Sequence, residues 1–350
     1  MDENDILSMT MAELGAFLVT LGEKSFRASQ IFSWLHKSGC KNYDEMTNVS
    51  IGLRRTLSEK APLRSLNITK KTLSGGDAVK YGYETHDGHF LEGVLLKHDY
   101  GNTVCVSSQI GCAMGCSFCA STLGGLTRNL SAGEMCAQIY EIYKDSGEPV
   151  NNIVVMGGGE PLHNYDNLLK FIGIINSSDG RNIGARHITV STCGLVPQIR
   201  QMAELKLQIN LAVSLHSPFD NKRQSIMPIA QTYSVAELIA AADGYAKTTG
   251  RRVTYEYTLM DGVNDDDRDA KELAKLLRGK LAHVNVLPLN KHSGTELQKS
   301  RNTARFIKLL KNGGVNVTAR RSGGDEINAA CGQLRASVLK FQNALKADLI

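Results

Sequence analysis

The stretch CVSSQIGCAMGCSFCAS, residues 105–121, holds four of the chain's eight cysteines. Three of them, Cys112, Cys116 and Cys119, follow the spacing C-x3-C-x2-C, and Cys105 stands seven residues upstream. Closely spaced thiolates are soft ligands that select zinc or iron–sulfur clusters. Structural zinc closes with four protein ligands, usually as two C-x2-C knuckles, and this stretch has three ligands without a second knuckle. Three cysteines on a four-iron cluster leave one iron open to a further ligand. Reduced, buried loop thiols without a metal explain a single cysteine well, but explain three at this spacing poorly.

Other residues of chemical interest lie further along. GGGEP (157–161) combines glycines, which let a backbone approach a ligand closely, with Glu160, whose carboxylate suits an ammonium group. Ser191, the Ser214–Leu215–His216 turn, Asn290 and Cys331 complete the set. From about residue 100 onward, seven apolar runs read as buried strands: 103–109, 152–156, 187–192, 208–215, 252–260, 283–289 and 315–321. Helix-length amphipathic segments separate several of them, among them 131–147, 164–178, 234–250 and 265–279. The first opens on Ser131 with Glu134 three residues on, the signature of a capping box. Strands alternating with helices imply right-handed βαβ units and a parallel sheet. The strands are too few for a closed eightfold barrel, so the expectation is an α/β fold with a partial barrel. The chemical residues all follow strand ends, and parallel barrels build their sites at that carboxyl edge.

Residues 1–90 read as a small accessory domain, joined to a barrel core spanning 98–335, with 336–350 as a C-terminal tail. Its first half, with MAELGAFLVTLG and FRASQIFSWLHKSG, is helical; its later part forms strands around the turn His86–Asp87–Gly88. The hydrophobic fraction of 42% and the charged fraction of 21% are those of an ordinary globular chain. No apolar run approaches the ~18 residues of a membrane span. The acidic start MDENDILSM lacks the pattern of a secretory signal. A cytoplasmic location is therefore expected, where thiols stay reduced and clustered cysteines serve as ligands or catalysts. The net charge of +5 permits a nucleic-acid partner without requiring one.

The cysteine motif after the first strand of a partial barrel resembles that of the radical S-adenosylmethionine (SAM) superfamily, and GGGEP resembles its glycine-rich SAM motif. CVSSQIGC, CASTLGGL, MGGGEPL, GARHITVST, VSLHSP and NAACGQLR are similar to the RlmN/Cfr family of RNA adenosine methyltransferases. FRASQIFSWLHK and YDEMTN resemble the RlmN side, and the similarity runs over nearly the whole chain. The resemblance implies a [4Fe-4S] cluster on Cys112, Cys116 and Cys119, and two SAM molecules per turnover. It implies SAM contacts from Gly159, Glu160, Ser191, Ser214, Leu215, His216 and Asn290. Cys331 matches the cysteine that the family methylates from one SAM. A 5′-deoxyadenosyl radical from the second SAM then activates that S-methyl group for addition to adenine. Cys105 matches the cysteine that releases the product through a transient disulfide, and Glu92 matches the proton acceptor. For the disulfide, the two Cα atoms must come within roughly 4.4–6.8 Å.

The implied reaction is methylation of carbon 2 of an adenosine in the peptidyl-transferase centre of 23S rRNA and, in some bacteria, of an anticodon-loop adenosine of tRNA. Alternatives are Cfr-type methylation of carbon 8, which confers antibiotic resistance, a radical SAM reaction on a non-RNA substrate, and a non-enzymatic zinc-stabilised RNA-binding protein. A reducing donor such as flavodoxin and a monomeric state accompany the first reading, with no membrane partner. Read from its residue type and position alone, Glu92 is a solvated strand residue, and Arg251–Arg252 and Arg320–Arg321 are solvated strand ends or phosphate contacts. Cys40 and Cys136 are helix residues without partners. Cys193, in STCG, stands where the family more often has serine.

Overall fold

The computed structural model describes residues 5–292, 294–320 and 324–334. The expected 336–350 tail, Arg321 and Arg335 lie outside the described residues. Three helices come first: α1 (Met11–Thr20), α2 (Arg27–Phe32), prolonged by a π-helical turn to Ser38, and α3 (Ile51–Lys60). Strands β1 (Asn67–Leu73), β2 (Ala78–Glu84) and β3 (Phe90–Leu96) follow. They turn at Gly88, which has φ +77°. Then come β4 (Thr103–Cys105), the small hairpin β5 (Gln109–Gly111) and β6 (Leu126–Asn129), and α4 (Ala132–Ser146).

From there strand and helix alternate: β7 (Asn152–Val155), α5 (Tyr165–Asn176), β8 (Ile188–Thr192), α6 (Val196–Glu204), β9 (Asn210–Ser214) and α7 (Asp220–Ile226). The series ends with α8 (Val235–Thr249), β10 (Val253–Leu259), α9 (Asp267–Leu277), β11 (Ala282–Pro288), α10 (Thr303–Asn312) and β12 (Val317–Ala319). All seven expected parallel strands form. Ser131 caps α4 in the expected capping box with Glu134. No helix among the described residues is long and apolar enough to cross a membrane.

One sheet of ten strands runs in the order β1-β2-β3-β4-β7-β8-β9-β10-β11-β12. Its seven strands from β4 onward are parallel, and both ends of the order are open, which makes a partial barrel. The sheet does not begin at β4, however. Strands β1–β3, grouped by sequence with the accessory segment, extend the barrel sheet through antiparallel pairing of Val94 with Cys105. The physical reason is α4, which the hairpin covers: Tyr83 Oη donates to Gln138 O at 3.2 Å and Tyr81 Oη to Asp145 at 2.7 Å. A helix flanked on so many sides is buried through its first eleven residues. The N-terminal helices share the same core, where His36 meets Tyr140 Oη at 2.8 Å.

Parallel registers define the barrel's inner face, since partnered residues point to the same side. Cys105 pairs with Val154, Ser191 with Ala212, Ser214 with Glu256, Glu256 with Asn285, and Asn285 with Thr318. This face carries the site.

Candidate active site: three thiols, two cavities and a buried guanidinium

The cluster loop leaves the β5–β6 hairpin, which pins both its ends: Cys112 N donates to Gly125 O at 3.3 Å. Cys119 N donates to Cys116 O at 3.2 Å, and Ser117 N to Ile226 O at 3.0 Å, tying the loop to the end of α7. Cys112 and Cys116 are buried and Cys119 is half-buried. Burial pushes the Cys116 thiol well up, and neighbouring Cys119 and Cys112 add to the effect. A metal that displaces these protons relieves that crowding. Among the described residues, the one group with three ligating atoms within 4.8 Å is His86, Asp87 and Glu134. There Arg128 already binds both carboxylates, at 2.7–2.8 Å. Cys112, Cys116 and Cys119 instead offer three soft donors on one short loop pinned at both ends. Soft, buried and spaced in this way, the donor set fits a multi-iron cluster.

Beside this loop lies a cavity of about 140 Å³, lined among others by Cys119, Ser191, Ser214, His216, Asn290 and Cys331. Five residues expected from distant parts of the sequence are thus brought to Cys119. Ser191 Oγ donates to Val155 O at 2.8 Å. His216 has a left-handed backbone, φ +56°, and its Nδ1 accepts from Thr258 N at 2.9 Å. Burial, aided by Arg223, lowers its pKa to about 3, so the ring is neutral and its proton sits on Nε2. Leu215 is fully buried, its N–H bonded to Glu256 O at 3.1 Å.

The GGGEP loop packs tightly against the chain's own backbone. A Cβ on Gly157 would stand 2.7 Å from Ser107 N, and one on Gly159, at φ +100°, 2.5 Å from Gln109 Cβ. The glycines therefore admit the chain's own 106–109 segment. Glu160 is buried with both carboxylate oxygens in use: Oε1 accepts from Leu162 N at 3.0 Å and Oε2 from Cys193 N at 2.7 Å. Burial raises its pKa, and these donors oppose the rise. Its carboxylate is a strut between two loops.

A second cavity, of about 70 Å³, holds both Cys105 and Cys331. Met156, Leu287, Asn290 and Arg320 line both cavities, as Cys331 does. Burial pushes the Cys105 thiol up to about 12, with Cys331 adding and Arg320 opposing. The Cys331 loop is latched by three hydrogen bonds to two neighbouring segments. Asn290 Nδ2 donates to Cys331 O at 3.1 Å, Ala120 N to Gly332 O at 2.7 Å, and Gln333 Nε2 to Lys291 O at 3.0 Å.

Glu92 is buried, not solvated: its carboxylate pairs with Lys80 Nζ at 3.2 Å, and both side chains are almost fully covered. Arg320 is likewise no solvated strand end but a wall of both cavities. Arg251 bonds Asn210. Cys136 is fully buried in α4, and Cys40 follows the π-helical turn in a buried loop.

Sequence reading missed two residues here. Glu256 lies buried on the inner face with Oε2 unpartnered, and burial raises its pKa. The available signal was weak: Thr254 and Thr258 share the face of Glu256, so VTYEYTL reads as ordinary alternation with one polar side. Arg223, in DNKRQSI, is fully buried and donates to three carbonyls: Leu215 O at 3.1 Å, Cys193 O at 2.6 Å and Ser214 O at 3.3 Å. Nothing in the sequence separates it from Lys222.

Residues 106–274 match the radical SAM superfamily, and residues 4–63 match the ribosomal RNA large subunit methyltransferase N-terminal domain. The chain is 50% identical to a probable dual-specificity RNA methyltransferase RlmN of Alkaliphilus oremlandii, over 97% of this chain and 100% of that one. It is 51% identical to the protein of that name from Lachnoclostridium phytofermentans, over 95% and 94%. A crystal structure of a radical SAM methyltransferase from Sphaerobacter thermophilus superposes with a TM-score of 0.91 at 45% identity, covering 95% of this chain and 99% of that one. Radical SAM proteins work with a [4Fe-4S] cluster and SAM, which the thiol set and its adjoining cavity suit. The chain belongs to the RlmN family of dual-specificity RNA methyltransferases within the radical SAM superfamily.

Proposed function

We propose that this chain methylates carbon 2 of an adenosine in 23S rRNA and, as the relatives' dual-specificity names suggest, an adenosine of tRNA. The observation that carries the reading is Cys331. It lines one cavity with Cys119 and the strand-end residues and another with Cys105. A thiol used first as a methyl acceptor and then as one half of a disulfide needs both neighbours.

When bound on Cys112, Cys116 and Cys119, the cluster with SAM supplies a methyl group and a 5′-deoxyadenosyl radical. The chain's own residues do the rest. Ser191, Ser214, Leu215, His216 and Asn290 shape the cavity; Gly159 and Glu160 hold its rim in place. Cys331 gives up its proton and takes the methyl, with Arg320 on the same wall favouring the charged sulfur. The methyl carbon, after giving one hydrogen atom to that radical, would bond to carbon 2 and tie RNA to protein, and the adduct's unpaired electron would return to the one-electron donor system as carbon 2 loses its proton. Glu92, held by Lys80, is assigned as acceptor of the proton from carbon 2. Cys105, as the thiolate, then attacks the Cys331 sulfur; the disulfide forms, the S–CH2 electron pair stays with the departing carbon, which takes up a proton to complete the methyl group, and an outside dithiol restores both thiols. The N-terminal helices are assigned to RNA contact.

The test is an anaerobic reaction with methyl-labelled SAM, a reductant and protein-free 23S rRNA. Label on 2-methyladenosine is expected, lost with Cys331→Ala, while Cys105→Ala should trap a covalent protein–RNA adduct. Label on 8-methyladenosine would replace the carbon 2 assignment.

A further inference from the structure

Arg223 presents an energetic problem. It is fully buried, its Nη1 has no hydrogen-bond partner, and among the described residues no carboxylate pairs with it. Asp220, the acid on its own helix, acts on it through space but makes no ion pair with it; its carboxylate accepts from Val235 N at 2.7 Å at the start of α8. Glu160 is committed to Leu162 and Cys193. Three carbonyls satisfy part of the fork but carry no net charge. A buried cation without a counter-charge costs several kcal/mol, so proteins seldom keep one.

Its placement suggests what balances it. Arg223 projects from α7, whose last residue, Ile226, receives the Ser117 N–H in the middle of the cluster loop. Pro228, just beyond α7, packs on Gly115, where a Cβ would stand 3.2 Å from its Cγ. The guanidinium thus lies between the cluster loop and the loops after β8 and β9. Its positive charge acts on Cys193 and Cys116 ahead of Asp220.

We propose that Arg223 is the counter-charge of the iron–sulfur cluster and, without ligating it, favours its reduced form. This rests on the reading of Cys112, Cys116 and Cys119 as cluster ligands. A four-iron cluster on three thiolates is anionic and gains one more negative charge on reduction. A fixed cation in a poorly polarisable surrounding stabilises the more negative state, and cluster potentials respond to such charge. The same arginine, through its bonds to Cys193, Ser214 and Leu215, holds the SAM-cavity loops against that charge.

The experiment compares anaerobically reconstituted wild type, Arg223→Gln and Arg223→Lys for iron per chain and for midpoint potential by EPR-monitored titration. Arg223→Gln, with iron retained, should move to a more negative potential; Arg223→Lys, which keeps the charge but not the three-carbonyl fork, should stay near wild type. An unchanged potential in Arg223→Gln would reduce Arg223 to a staple between loops. Arg223→Lys decides alone if the Gln variant does not fold: a shift to lower potential despite the retained charge would equally overturn the proposal. A folded wild type that takes up no iron would instead sink the ligand reading itself.

Discussion

His216 shows how one residue's chemistry is set by its surroundings. Its left-handed backbone turns the ring so that Nδ1 meets the Thr258 N–H, while Asn264 Nδ2 holds its carbonyl at 2.6 Å. Phe118, next to the cluster ligand Cys119, packs edge-on at 4.7 Å between ring centroids. The neutral ring therefore offers the cavity a donor, Nε2–H, and no charge. Because the folded pKa lies near 3, below the ordinary 6.5, neutrality of His216 stabilises the fold above pH 6.5, and the contribution fades as pH falls toward 3. His36, also lowered to about 3 by burial, acts in the same sense. Nitrogen-15 NMR of the histidine rings should find His216 as the Nε2–H tautomer at pH 7 and still neutral at pH 5. Titration near 6.5 would mean that the ring is not enclosed as described. At this scale the sequence was legible in residue type more than in role. SLH marked residues that the fold brings to a cavity beside Cys119, but only the folded contacts reveal that Glu92 pairs with Lys80 and that Glu160 joins two loops.

The elements were legible where burial imposes a period. Parallel strands covered on both faces read as apolar runs, and all seven were visible for that reason. The antiparallel hairpin was visible as strands but not as part of the barrel sheet, because its attachment depends on α4 and on the pairing of β3 with β4, which are distant in sequence. GGGEP illustrates the same limit. Its glycines are explained by a contact with Ser107 and Gln109, some fifty positions earlier in the chain. Ser107 Oγ donates to Glu92 O at 2.7 Å and accepts from Gly158 N at 2.8 Å, so it joins strand β3 to the glycine loop. Gly157→Ala would drive a methyl into the 106–107 backbone. Such overpacking should cost about 1–3 kcal/mol, read as a lower urea midpoint, and the displaced loop should weaken SAM binding by calorimetry. A variant with unaltered stability and affinity would show that the loop has room that the structure denies it.

On the scale of the molecule, the site depends on joining the first and last parts of the barrel. Cys105 ends β4 and Cys331 follows β12, and no local pattern announces that a loop at one end packs on a loop at the other. The latch is visible in the contacts: Ala120 N on Gly332 O, Ser121 Oγ on Leu334 O at 3.4 Å, and Asn290 on the Cys331 carbonyl. Each of the first two begins immediately beyond Cys119. Order in the cluster loop should therefore be transmitted to the Cys331 loop, since Ala120 and Ser121 can hold residues 332–334 only where Cys119 fixes them. Removing iron by anaerobic chelation should then raise amide hydrogen exchange not only at 112–119 but also across 324–334, while α8, which packs on α6 and β10, keeps its protection. Asn290→Ala should loosen 324–334 with the cluster still in place, because it cuts a different strand of the same latch. If chelation quickened exchange at 112–119 alone, the two loops would be independent, and Cys331 would keep its position between the cavities without help from the cluster.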